Sequence, residues 1–278
     1  MSPLDDKTFI LGVGAQKAGT SWLFDYFDSR DDCDMSPIKE LHYFDAKHRP
    51  DLCGVYHTKF VERLVDRVRN GQDRTYRSDE QLKALVDRVS MIYDDSAYRR
   101  YFEDRVSDGA KCFGEISPSY SLLDREGFAD VRRQFPKIRV ILLLRDPVER
   151  HYSLMRMKER TGTVASATQS FVELLEDPAC VERGLYHETI QNLDQVFDSQ
   201  EVYITFYEQL FRDEEVRKIC NFAGLPFQAG RYGTRVNAGG ESEKLTPAQI
   251  ALAKDRFADV YDFCLKRFGD ALPVSWRT

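Results

Sequence analysis

Ile10-Leu-Gly-Val-Gly14-Ala-Gln-Lys17-Ala18-Gly19-Thr20-Ser21-Trp22 decides the fold of this chain. The apolar run from Thr8 to Gly14 reads as a buried strand that ends in a glycine-rich turn. Beyond the turn, Trp22, Leu23, Tyr26 and Phe27 share one helical face, with Asp25 and Asp28 turned away. A strand that enters a helix through glycines holds a phosphate against unpaired backbone N–H groups. The spacing Gly14-x4-Gly19 nearly matches the G-x4-G-K-[ST] loop of nucleoside triphosphate enzymes. Here the lysine stands two residues before the second glycine, and Thr20 takes its usual place. The displacement points away from an ordinary ATPase and toward another phosphorylated nucleotide.

Outward from this turn, strands are expected at residues 111–115, 138–144 and 201–207. The nearly unbroken apolar run at 138–144 suits a central strand covered on both sides. Helical patterns at 122–135, 151–160 and 186–198 alternate with them. The expected fold class is therefore α/β, a P-loop-like three-layer fold with a central parallel sheet flanked by helices. Residues 46–108 break the alternation and read as a helical insertion, with segments near 58–70 and 79–104. No Pro/Gly/Ser linker divides the chain, so one domain over 1–278 is expected. A last helix is signed by Thr246, Pro247 and Gln249 at its start and Gly269 at its end.

Composition narrows the function. The 278 residues are 42% hydrophobic and 31% charged, with a net charge of −6, which disfavours a nonspecific nucleic-acid binder. The N-terminus lacks a signal pattern and the longest apolar run is too short for a bilayer, so no membrane insertion and a cytoplasmic location are expected. Six scattered cysteines without a C-x-x-C pair read as packing thiols, with no zinc site and no disulfide frame.

Two further stretches carry chemistry. In Leu143-Leu-Arg145-Asp-Pro147-Val-Glu-Arg150-His-Tyr-Ser153, an apolar strand ends at an arginine, and Ser153 is read at a helix start. A guanidinium and a hydroxyl at a strand's C-terminal end suit phosphate oxygens. A plain Arg–Asp pair on a turn is the competing reading. In Ile38-Lys39-Glu40-Leu-His42-Tyr43-Phe44-Asp45, two carboxylates and an imidazole lie among aromatics, an environment suited to general-base work by Glu40. A charged loop beside an aromatic anchor is the plainer alternative.

Together these motifs resemble the sulfotransferases that use 3′-phosphoadenosine 5′-phosphosulfate (PAPS), and within them the branch of heparan sulfate sulfotransferases and small bacterial relatives. Residues 16–22 resemble the family's 5′-phosphosulfate loop, residues 145–153 its 3′-phosphate motif, and residues 40–45 its Glu-x-His-[aromatic]-Phe-Asp signature. Ser117-Pro118-Ser119-Tyr120 is a weaker match. The resemblance implies PAPS as donor, 3′-phosphoadenosine 5′-phosphate (PAP) as product, a small-molecule or carbohydrate acceptor, and no metal. It implies that Lys17 and the N–H groups of Ala18, Gly19, Thr20, Ser21 and Trp22 hold the 5′-phosphate. Arg145 and Ser153 would bind the 3′-phosphate, and Glu40 would take the acceptor's proton. His42 and Asp45 would orient the acceptor or Glu40. The chain departs from the pattern at Ile116, where heparan-type enzymes carry a lysine, and at 237–244, where the lysine of a nucleotide-covering segment is displaced. A P-loop kinase or NTPase is the rival enzyme, and it would prefer ATP with magnesium. A non-catalytic nucleotide-binding module on the same fold would bind without transfer.

Overall fold

The computed structural model describes residues 2–70, 78–233 and 243–277. Five parallel strands form the sheet: β1 (Thr8–Gly14), β2 (Cys33–Met35), β3 (Cys112–Ile116), β4 (Ile138–Leu144) and β5 (Val202–Phe206). Their order is β2-β3-β1-β4-β5, which bears out the α/β class. Every residue of β1 is buried, as its apolar run requires, and the register Leu11↔Glu115 and Leu11↔Val140 locks it between β3 and β4. β2 was not anticipated, because three residues offer no period to read. Among the described residues β5 is an edge strand paired only with β4, and its alternating residues are half-buried over their first three positions.

Helix α1 (Thr20–Asp28) follows β1 directly. The helices Val55–Asn70, Asp79–Ser90 and Ala97–Glu103 lie between β2 and β3. Tyr98 and Phe102 of the last one pack on the sheet. The Phe102 ring sits edge-on to Phe9, 5.4 Å between centroids, and 5.5 Å from Phe113. Burial of such side chains contributes about 1.5–3 kcal/mol each.

The helix Pro147–Arg160 begins a turn earlier than its apolar pattern suggested. Asp146 accepts a 3.0 Å bond from the Glu149 N–H as its cap, and Pro147 occupies the first turn. The C-terminal helix is two helices, Pro247–Arg256 and then Ala258–Phe268. The capping box at Thr246 and Gln249 forms as read. The break falls at Phe257, whose fully buried ring faces His151. The apolar period continues across it, so sequence alone shows one helix.

In a wholly parallel sheet all strand C-termini share one edge. From β1 the chain turns toward β2, and from β4 it turns toward β5. The loops after these adjacent strands diverge and leave a crevice, the position where open α/β sheets take ligands.

Candidate active site

The turn after β1 lies in that crevice. Ala15 N–H donates to Leu143 O at 2.6 Å, which fastens the turn to β4. Lys17 (φ 74°) and Gly19 (φ 95°) both take left-handed backbone. A side chain at Gly19 would also strike Leu210, whose Cδ2 lies 2.7 Å from a built Cβ. The first bond of α1 runs from Leu23 N to Gly19 O, and no side chain caps the helix. The amides of Thr20, Ser21 and Trp22 therefore stand outside the helical ladder.

Cations gather around these amides. Arg145 donates to Lys17 O at 3.2 Å, lies 3.3 Å from Glu149 and sits over the Tyr207 ring at 4.5 Å. Burial, then the fields of Arg160, Arg145 and Arg156, lower the Lys17 pKa to about 8, with Glu40 opposing them. Among the described residues, Arg156 Nε is buried without a hydrogen-bond partner. Positive charges held together in a half-buried place form a site for an anion.

The loop between β2 and residue 44 supplies the opposite wall. Lys39 Nζ donates to Ser21 Oγ at 3.2 Å and lies 3.9 Å from Glu40 Oε1, so this loop is tied to the start of α1. Glu40 Oε2 is 3.2 Å from His42 Nε2, and His42 Nδ1 is 2.7 Å from Asp45 Oδ2. The Ser119 hydroxyl donates to the same Asp45 oxygen. Burial opposes charge on His42, but the bonds to Asp45 and Glu40 outweigh it and lift its pKa to about 9. His42 is the second non-glycine residue with left-handed backbone, φ 49°, and its ring stacks on Tyr56 at 3.5 Å. Strained backbone of this kind persists where surrounding contacts hold it.

The model of the sulfotransferase family matches residues 9–229 of this chain. The chain belongs to the sulfotransferase family. Among solved structures, it is similar to a sulfotransferase from Alicyclobacillus acidocaldarius. The two are 22% identical, with 98% of this chain and 99% of that chain covered and a TM-score of 0.67. The sulfotransferase domain of the Synechococcus PCC 7002 olefin synthase is 14% identical, over 91% of this chain and 95% of that one, with a TM-score of 0.49. Mouse sulfotransferase SULT7A1, complexed with PAP, is 14% identical, over 92% of this chain and 66% of that chain, with a TM-score of 0.42. Among curated proteins none matches.

In this sulfotransferase family enzyme the motif residues fall into two groups. Lys17, Ala18, Gly19, Thr20, Ser21, Arg145, Glu40 and His42 meet at the crevice, linked by the Arg145–Lys17 and Lys39–Ser21 bonds. Two readings are corrected. Ser153 is not at a helix start but is the seventh residue of Pro147–Arg160, on the face shared by Glu149, Arg156 and Arg160. Arg145 does not pair with Asp146, because Asp146 turns to cap the helix and to accept from Tyr261 at 2.9 Å. The Trp22 indole stacks on Tyr26 and Tyr232, and its N–H donates to Arg231 O at 2.9 Å. Residues 237–242 of the displaced-lysine segment lie outside the described residues.

The structure adds residues that the sequence reading of this sulfotransferase passed over. Lys39 was visible as Glu40's neighbour, and Arg156 was visible at helical spacing from Ser153. Ser119 belongs to the weaker 117–120 match, whereas Tyr56 gives no signal. Beneath the loop, fully buried Glu115 accepts from Tyr98 (2.6 Å), Tyr120 (2.8 Å) and Ser117 (2.6 Å). Tyr120 Oη in turn accepts from the Tyr43 N–H at 3.2 Å, so the 117–120 motif supports the loop from below.

Proposed function

We propose that this enzyme transfers a sulfuryl group from PAPS to a hydroxyl or amine of a small-molecule or carbohydrate acceptor, and that it sits in the branch with heparan sulfate sulfotransferases and small bacterial enzymes. One observation carries the reading: Lys17, on a left-handed bend whose carbonyl accepts from Arg145, lies in the fields of Arg160, Arg145, Arg156 and Glu40 beside the start of α1. The donor set suits a doubly phosphorylated, sulfonated nucleotide, since it consists of cations, free amides and a buried unpartnered guanidinium nitrogen. When bound, PAPS supplies the sulfuryl group and a phosphate leaving group.

The residues divide the remaining work. Lys17, with the amides of Gly19 to Trp22 and the Thr20 and Ser21 hydroxyls, balances charge at the 5′-phosphate, whereas the Ala18 N–H is given to Ala15 O at 3.1 Å and closes the turn. Arg145, Ser153 and Arg156 hold the 3′-phosphate. Glu40 accepts the acceptor's proton at its carboxylate. With a pKa near 9, His42 is an imidazolium at neutral pH and has no lone pair for that proton. It therefore acts by donating from Nε2 to Glu40 and from Nδ1 to Asp45, which aims the Glu40 carboxylate. Such transfer depends on position and electrostatics more than on covalent help.

The test is incubation with PAPS and a panel of alcohols, phenols, amines and sugars, read by mass spectrometry. The expected result is PAP formation matched by acceptor heavier by one SO3. PAP-tight binding with no transfer to any panel class would point to a binding module instead.

A further inference from the structure

We propose that Arg88 is a positioning residue that sets the backbone carrying Glu40. The inference rests on the reading of Glu40 as the proton acceptor. Arg88 comes from the helix Asp79–Ser90, distant in sequence from both motif loops, and is fully buried. Its Nε donates to Leu41 O at 2.5 Å and its Nη2 to His42 O at 2.6 Å. The guanidinium lies over the Phe60 ring at 4.5 Å, with His57 Nδ1 3.3 Å from Nη2. Burial and then the Arg88 charge lower the His57 pKa, so a neutral ring can accept there. Nη1 has no partner among the described residues.

None of these contacts is to a carboxylate. A buried charge without an ionic partner is a poor means of stabilising a fold. What Arg88 obtains instead is a planar fork on two successive carbonyls. Those carbonyls belong to Leu41 and to His42, whose left-handed φ of 49° needs outside support. Fixing both peptide planes fixes the direction in which Glu40 leaves the turn and the place of His42 beside it. The same helical region adds Tyr56 on the free face of the His42 ring. The loop is thus held by the helices that follow it as well as by the sheet below.

A double-mutant cycle tests this. The probe is PAP release from PAPS with water as acceptor, alongside PAP affinity by calorimetry. Arg88→Met is expected to bind PAP like the parent and to release it roughly 10²-fold more slowly, the loss that an ångström-scale misplacement brings. Arg88→Lys, which keeps a donor, is expected to recover part of the rate. In a Glu40→Gln background, Arg88→Met is expected to change the rate by less than about threefold, because both act through one carboxylate. If Arg88→Met does not fold, Arg88→Lys runs the same cycle with a smaller first loss. A folded Arg88 variant at the parental rate, losses that multiply in the double mutant, or PAP affinity falling in step with rate would each overturn the proposal. A parental rate in Glu40→Gln alone would instead remove the reading of Glu40.

Discussion

His42 Nδ1 lies 2.7 Å from Asp45 Oδ2, and the Asp45 carboxylate is completely buried. This pair makes stability depend on pH with a definite sign. The His42 pKa is raised, to about 9, from an unfolded value near 6.5. Its contribution is therefore fully present below about pH 6.5 and is lost as pH climbs through about 9. The side chain is 11% exposed, so screening is small, and the contribution is up to about 3 kcal/mol. Asp45→Asn should lower stability at pH 6 and flatten the decline between pH 6.5 and 9. Thermal unfolding across pH measures both, and identical profiles for the two proteins would refute the pairing.

Lys17 gives a proton-linkage prediction of the opposite origin. Its pKa is lowered to about 8 by burial and by neighbouring guanidinium groups. An anion among those cations reverses the effect, so PAP binding at pH 8.5 should take up a fraction of a proton. Calorimetry in buffers of different ionisation enthalpy reads this directly. Lys17→Met should abolish the uptake, and Lys17→Ala should cost about 2.7–4 kcal/mol of transition-state stabilisation.

Glu40→Gln keeps the shape of the side chain and removes its proton acceptor. Turnover should fall roughly 10²–10⁴-fold while PAP affinity stays near the parental value. Initial rates beside equilibrium binding separate the two quantities.

Lys39 joins the loop that carries Glu40 to α1 through Ser21, 3.2 Å away. Replacing it with Met removes a charged hydrogen bond, an effect of about 1.5–3 kcal/mol, or roughly 10–10²-fold in kcat/KM. Ser21→Ala should show a smaller loss, and the double variant should be less than additive.

Much of this is legible in the sequence. The apolar runs of β1 and β4 are unbroken because both faces of each strand are covered, and the turn after β1 needs its glycines for a left-handed path. Glu40, His42 and Asp45 were legible because they lie within six residues of one another. β2 escaped because a three-residue strand has no period. Ser153 was misplaced because the Asp146 cap begins the helix a turn early. Tyr56 and Arg88 reach the site only through tertiary packing, which leaves no local pattern.

The central claim is that the cations beside α1 recognise a nucleotide bearing a 3′-phosphate as well as a 5′-phosphate, and competitive calorimetry with PAP, ADP and ATP with magnesium tests it most directly. The account expects PAP to bind most tightly and Arg145→Ala to erase that preference. Tighter binding of ATP with magnesium, or an undiminished preference for PAP in Arg145→Ala, would contradict it.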